Sequence, residues 1–242
     1  MIYLYDGTLN GLFTCVYQHY YCEKATGIYC DEVYEKNLFE EEVLVETDED
    51  KAMKVYNGII NKISHEAMKH VYYTYLSCEY KKDCYILGYL EYGFKVGYQV
   101  DNDHTHKYVH EVHKLSSKVA KEKHLLLGIL RFQEVGKGLY AYVTPDNDVI
   151  ELLAEHFADR LKNEQFIIHD RRRNKAVIYN KQDWFITDFH YNKNVMLSDR
   201  EKDFQEMWKG YFEHIGIEER KNYKLQRRYV PTRYHKNIVE FK

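Results

Sequence analysis

The sequence predicts an α+β protein: a helical N-terminal half packed with a mainly antiparallel sheet in the second half, ending in a helix and a basic tail. Three observations carry this. Apolar residues recur at helical spacing through most of residues 1–127; short β-branched and aromatic runs alternate with turn residues after Gly128; and a capped amphipathic stretch near the end gives way to interleaved arginine, lysine and tyrosine. Residues 1–127 are expected to form a mostly helical region that starts with a short strand, and residues 128–242 an antiparallel sheet with helices and the tail. With no Gly/Ser linker, internal repeat or low-complexity tract between them, the two regions also suit one continuous domain over 1–242.

Taken in order, Ile2–Tyr5 reads as a strand and Asp6-Gly7-Thr8 as a turn, and Leu9, Leu12, Phe13 and Val16 begin a helix that runs to about Tyr21. After a second short strand at Val43–Val45, Thr47 with Asp50 resembles a capping box ahead of the stripe Ala52, Val55, Tyr56, Ile59, Ile60 and Ile63. Helical sequence continues through Met68, Val71, Tyr72, Tyr75 and Leu76, then over Ile86–Tyr98 and about Thr105–His124. Ile129–Val135 and Leu139–Val143 read as strands joined by the hairpin residues Gly136-Lys137-Gly138. Gly136-x-Gly138-x-x-Ala141 is spaced like a dinucleotide-binding loop, but it leads into a strand where that loop must open a helix, so nucleotide binding is excluded. Pro145-Asp146-Asn147-Asp148 supplies a helix start for Val149, Leu152, Leu153, Phe157 and Leu161. Strands are expected near Phe166–Asp170, Ala176–Tyr179 and Trp184–Thr187. Ser198-Asp199-Arg200-Glu201 is a full capping box, and the stripe Phe204, Met207, Trp208, Tyr211, Phe212 and Ile215 predicts a firmly docked helix.

No stretch reaches the roughly 20 apolar residues of a bilayer span, and Met1–Asp6 has no basic segment before an apolar run, so a cytoplasmic protein without membrane contact is expected. Cys15, Cys22, Cys30, Cys78 and Cys84 are odd in number and form no close Cys-x-x-Cys pair, which fits reduced thiols. The three-cysteine spacing that holds a radical-SAM iron–sulfur cluster is missing, and no cofactor is expected in this chain. The formal net charge of −3 hides an uneven distribution. Glu40, Glu41, Glu42, Glu46, Asp48, Glu49 and Asp50 make the early region acidic. Arg220, Lys221, Lys224, Arg227, Arg228, Arg233 and Lys236 make the C-terminal region basic, the part able to meet phosphate.

His106, His110 and His113 fall at i, i+4 and i+7, opposite the face of Tyr108, Val112, Leu115 and Val119. They form either a solvated polar face or a zinc site completed by Asp103 or Glu111, and the solvated face is favoured. His65-Glu66-x-x-x-His70 is one residue too long for the zinc-protease motif and is set aside. Arg171, Arg172 and Arg173 sit at a connection between strands, where they make ion pairs or bind an anion such as phosphate. His169 and Asp170 are adjacent strand residues that point to opposite faces, and His156 within its helix's apolar stripe reads as a core histidine. In the tail, Arg227, Arg228 and Arg233 alternate with Tyr223, Tyr229 and Tyr234, a combination suited to tracking phosphates while stacking bases, though 25 tyrosines make such neighbours common.

Three segments carry a resemblance over almost the whole chain. They are Tyr5-Asp6-Gly7-Thr8 with Gly11-Leu12, a central set, and Ile217-x-Glu219-Arg220-x-Asn222-x-x-Leu225-Gln226-Arg227 with Pro231-x-Arg233-Tyr234. The central set runs from Glu122-x-His124 and Gly128-x-Leu130-Arg131-Phe132 through Asp148-Val149-x-x-Leu152-Leu153-Ala154-x-His156-Phe157-Ala158 to Ile168-His169-Asp170-x-Arg172-Arg173. Together they resemble the family defined by domain of unknown function 4130, whose members are taken for DNA metabolism or DNA repair proteins. The resemblance implies a partner, a DNA-modification or repair radical-SAM protein, and in some relatives a fused uracil-DNA-glycosylase-like domain. It implies Glu122, His124, Arg131, His156, His169, Asp170, Arg172 and Arg173 as a shared polar set. Leu125 and Leu127 stand where further basic residues are expected, and His104, His106, His110 and His113 lie outside the pattern. The leading expectation is a DNA-binding accessory protein that leaves the radical chemistry to its partner. The alternatives are an enzyme acting on DNA through His124, His156 or His169 with Arg131 and Asp170, and a protein–protein adaptor marked by an exposed apolar patch and a packed tail.

Overall fold

In the computed structural model, which describes residues 1–36, 39–190 and 198–241, the chain divides into two units, Met1–Ala120 and Lys121–Lys242. In the first unit, strand β1 (Ile2–Tyr5) is buried along its whole length because it is the central strand of a parallel sheet. The turn after it needs Gly7, whose φ of +79° strains any side chain. Thr8 then caps helix α1 (Leu9–Tyr21), its hydroxyl accepting from Gly11 N–H at 3.0 Å. Strand β2 (Gly27–Cys30), which the sequence reading missed, pairs with one edge of β1, and strand β3 (Glu42–Leu44) pairs with the other. Two short strands thus become a three-stranded β2-β1-β3 sheet.

Helix α2 (Glu49–Lys62) packs on α1. Its cap is Asp48, which accepts from Lys51 N–H at 3.0 Å, not the predicted Thr47, whose hydroxyl donates to Asp6 at 2.8 Å. Helix α3 (His65–Tyr75) and helix α4 (Lys82–Val96) follow, then a 3-10 turn over Gly97–Asn102 and the long helix α5 (Lys107–Ile129). Gly88 of α4 lies under the Tyr108 ring of α5, where a Cβ would sit 2.5 Å from ring atoms, so only glycine permits this approach. Leu12, Phe13, Ile28, Ile59, Ile86, Leu90 and Val112 belong to the single core these helices and the sheet enclose.

The predicted change of texture at Gly128 falls inside α5, which continues to Ile129 because Leu115, Val119, Leu126 and Leu130 keep one buried stripe past the glycine. In the second unit, strand β4 (Gln133–Val135) and strand β5 (Gly138–Val143) form the expected hairpin around Gly136, at φ +61°. Helix α6 (Glu151–Arg160) starts later than the Pro145–Asp148 signal implies. It returns the chain so that strand β6 (Phe166–Asp170) runs parallel to β5, which makes the sheet mixed. Strand β7 (Lys175–Tyr179) and strand β8 (Trp184–Asp188) add antiparallel partners, giving the order β4-β5-β6-β7-β8.

Helix α7 (Asp199–Ile215) is capped by Ser198, which accepts from Glu201 N–H at 3.1 Å. The Glu201 carboxylate, predicted to complete the box, instead accepts from Glu134 N–H at 3.0 Å and Gln205. The expected firm docking is not found. Phe204, Met207, Tyr211 and Ile215 are each more than half exposed, and the short turn Val239–Phe241 covers the helix only in part, Phe241 meeting Phe212 edge-on at 6.2 Å. Helix α8 (Tyr223–Tyr229) follows, and the chain closes with 3-10 turns at Thr232–Asn237 and Val239–Phe241 that bury Tyr234, Ile238 and Val239. No described helix is long and apolar enough to cross a membrane.

Candidate nucleic-acid interface

The polar residues of the second unit converge on Glu122. At i+7 from Leu115, i+3 from Val119 and i−4 from Leu126, it falls on the buried stripe of α5 and is only 6% exposed. An isolated carboxylate there would be prohibitively costly, and its oxygens are met by a full set of donors. Asp146 N–H donates at 2.9 Å to one oxygen. Asn147 N–H at 2.9 Å and the Asn147 amide at 2.7 Å donate to the other. The Tyr234 hydroxyl and, at 3.2 Å, the Arg233 guanidinium complete the shell. Burial pushes the Glu122 carboxyl up, but the donors from Tyr234, Asp146 and Asn147 together outweigh it and hold the group below the usual carboxylate range. Pro145–Asp148 is therefore a loop pinned by Glu122, not the first turn of a helix.

The turn between β6 and β7 is fastened to that loop. Asp170, fully buried, accepts from Arg172 N–H at 2.8 Å and from the Arg173 guanidinium at 2.8 Å, an Asx-type turn closed by Asn174 at φ +51°. Arg173 also donates to the carbonyls of Pro145 and Asp146. Asp146 takes Arg172 at 3.2 Å and Arg233 on its two oxygens, and Lys175 meets Asp148 at 2.8 Å. Arg171 lies flat over the Tyr142 ring at 3.6 Å, a cation–π contact. The ion-pair reading of the arginine turn holds for Arg172 and Arg173, which meet Asp146 and Asp170. Arg173 is committed to interior partners, whereas the Arg172 side chain is 55% exposed beside a single surface carboxylate.

Arg233 and Tyr234, grouped above with the phosphate- and base-binding tail, both reach Glu122, Tyr234 from the interior and Arg233 from the surface with its side chain 48% exposed. Tyr234 is 0% exposed with its hydroxyl on Glu122, so its ring offers no face to a base. The remaining tail residues are different. Helix α8, capped by Asn222 on Leu225 N–H at 3.0 Å, buries none of its residues and leaves Arg227, Arg228, Tyr223 and Tyr229 in solvent.

The candidate acid–base residues stand in different surroundings. His124 on α5 and His156 on α6 are exposed, which corrects the core reading of His156: its ring only edges Phe157 at 5.1 Å. His169 is buried in the sheet with Nδ1 2.8 Å from the Tyr140 hydroxyl. Burial, then the nearby Arg171 charge, push its pKa down, so the imidazole is neutral at neutral pH. The opposite-face argument separates His169 from Asp170 as expected, but both faces are covered. Arg131 pairs with Glu240 at 2.9 Å. Of the three histidines read as a possible zinc face, His106 precedes α5 and stacks on Tyr92 at 3.8 Å, His110 is exposed, and His113 turns to Asp101.

Glu122 and Asp146 are what the local sequence reading missed. A charged residue on the apolar stripe of α5 was the available signal for the first. The second was masked because an Asp-Asn-Asp run has the same composition in a helix cap and in a pinned loop.

No curated protein and no solved structure matches the chain. The pattern of a domain of unknown function, DUF4130, matches residues 80–240, a span that includes the whole Glu122 cluster and α8. That match brings no reaction, substrate or partner with it. Since it covers more than half of the sequence, the chain belongs to the DUF4130 family.

Proposed function

We propose that this protein is a DNA-binding accessory protein that acts beside a radical-SAM partner enzyme. The observation that carries the reading is α8: a helix with no buried residue that presents Arg227 and Arg228 with Tyr223 and Tyr229 to solvent. Guanidiniums neutralise phosphates and aromatic faces stack on bases, and together they suit a nucleic-acid strand better than a protein interior. Arg172, projecting from the β6–β7 turn, adds a third exposed guanidinium. Arg173 holds the turn through Asp170, and Arg233, half exposed, is paired with Asp146 and Glu122.

The exposed stripe of α7 favours a protein partner as well, because amphipathic helices of this kind are stabilised by burying the apolar face. We assign that face to the partner enzyme that the family resemblance implies, which would supply the iron–sulfur cluster that this chain's cysteine spacing cannot hold. A direct acid–base reaction on DNA has less support, since His124 and His156 stand exposed on separate helices and His169 is buried.

Fluorescence anisotropy with labelled single-stranded and duplex oligonucleotides tests the reading. The full chain is expected to bind at low salt, and the double variant Arg227→Gln, Arg228→Gln to weaken binding uniformly across sequences. Tyr229→Ala should cost about 1–3 kcal/mol on single strands and little on duplex. If neither DNA form binds at low salt, with or without the partner, the phosphate-binding role fails and an adaptor that uses only α7 takes its place.

A further inference from the structure

Helices α3 and α5 and the turn Gly97–Asn102 bring three metal-ligating side chains to one place in the first unit. We propose that His70, His113 and Asp101 form a binding site for a divalent transition-metal cation such as Zn²⁺.

The donor atoms are already gathered. One ring nitrogen from each histidine and one Asp101 oxygen lie within 4.8 Å of one another. His113 Nε2 is 2.8 Å from Asp101 Oδ1, and the two imidazoles stack at 4.4 Å and 30°. Zn–N and Zn–O bonds of about 2.0–2.2 Å place neighbouring ligands of a tetrahedral ion roughly 3.3–3.6 Å apart, so side-chain adjustments of up to about 1 Å bring the donors to one ion. The cation takes the place of the proton between His113 Nε2 and Asp101. That proton is released to solvent, and one hydrogen bond becomes two coordination bonds.

Outer contacts orient the ligands. His70 Nδ1 is 3.0 Å from the Ser116 hydroxyl, and with Nδ1–H donating, the Nε2 lone pair is left for the metal. Tyr89, fully buried, donates its hydroxyl to Asp101 Oδ1 at 2.7 Å. Burial and the neighbouring His113 both lower the His70 pKa, which favours the neutral imidazole that ligation requires. The three side chains are about one-fifth exposed, so a fourth coordination position opens to water, with Glu66 Oε1 3.8 Å from His70 Nε2. Two nitrogens and one carboxylate suit Zn²⁺, Fe²⁺ or Mn²⁺, whereas Mg²⁺ and Ca²⁺ favour oxygen shells. Of the helix-face histidines, only His113 takes part.

The test uses the full chain stripped with a chelator and titrated with Zn²⁺, with bound metal measured by elemental analysis. One equivalent is expected, with a rise in the thermal midpoint. His70→Gln or His113→Gln should abolish stoichiometric uptake, Ser116→Ala and Tyr89→Phe should weaken it by about 10–100-fold, and His110→Gln should leave it unchanged. Should the ligand variants not fold, Co²⁺ added to the wild-type chain reports directly: visible bands of a four- or five-coordinate N/O site, displaced by zinc, are expected. Substoichiometric uptake of both metals by the wild type overturns the site. So does uptake that survives His70→Gln in a folded protein, or that depends on His110.

Discussion

Replacing Glu122 by glutamine keeps the side chain's shape and removes its charge and half its acceptor capacity. In the native cluster one oxygen receives Asp146 N–H, Tyr234 and Arg233, and the other receives two donors from Asn147. Whichever way the amide is turned, its NH₂ faces at least two donors. At about 1–3 kcal/mol for each donor left without an acceptor, and with water reaching the Arg233 side of the cluster, the variant should lose about 2–4 kcal/mol at pH 7. The pH dependence follows from the lowered folded-state pKa. The carboxylate's contribution is complete above its unfolded value of about 4.3 and disappears as pH falls through the lower folded value, so the gap between wild type and Glu122→Gln should close below about pH 4. Both tryptophans, Trp184 and Trp208, lie in the second unit, so urea unfolding followed by tryptophan fluorescence reports this unit alone. A difference under about 0.5 kcal/mol at pH 7, or one that grows toward acid, would refute the argument that Glu122 organises the loops.

Arg173→Gln should destabilise the second unit by about 1–3 kcal/mol through loss of its Asp170 contact, while leaving the salt dependence of any DNA binding unchanged; denaturant titration and binding isotherms separate the two. Asp83, 2% exposed on α4, has its carboxyl pushed up to about 6 by burial, so the folded state favours the proton and stability falls as pH rises from about 3.8 to 6. Asp83→Asn should therefore be about 2–3 kcal/mol more stable relative to wild type at pH 7.5 than at pH 3.5, read as the change in melting-temperature difference by circular dichroism. Anaerobically purified protein should contain no stoichiometric iron and sulfide, and finding both would contradict the reading of its cysteine spacing.

Much of the architecture is legible in the sequence because local chemistry decides it. The stripe of α1, the Gly136 hairpin and β6 follow from periodicity and turn residues alone. What escapes is set by distant partners. Strand β2 has four residues, including a glycine and a cysteine, and no alternation to mark it; its pairing with β1 defines it. That β5 and β6 run parallel follows from the path of α6, which no strand pattern encodes. The stripe of α7 specifies an apolar face but not its partner. The shared polar set from the family resemblance mixes two kinds of residue that only the fold separates: Glu122, Asp170 and Arg173 are interior fasteners, while His124, His156 and Arg172 are exposed. His70, Asp101 and His113 come from three elements and make no motif, so their meeting is invisible before folding.

The central claim is that exposed guanidiniums on α8 and the β6–β7 turn hold nucleic-acid phosphates. Each true phosphate contact contributes about 0.7–0.9 to the slope of log affinity against log salt. The most direct measurement is that slope, on one oligonucleotide, for wild type and for the triple variant Arg172→Gln, Arg227→Gln, Arg228→Gln, with circular dichroism to establish equal folding. A slope shallower by about 2–3 is expected in the variant. An unchanged slope in a folded variant would contradict it.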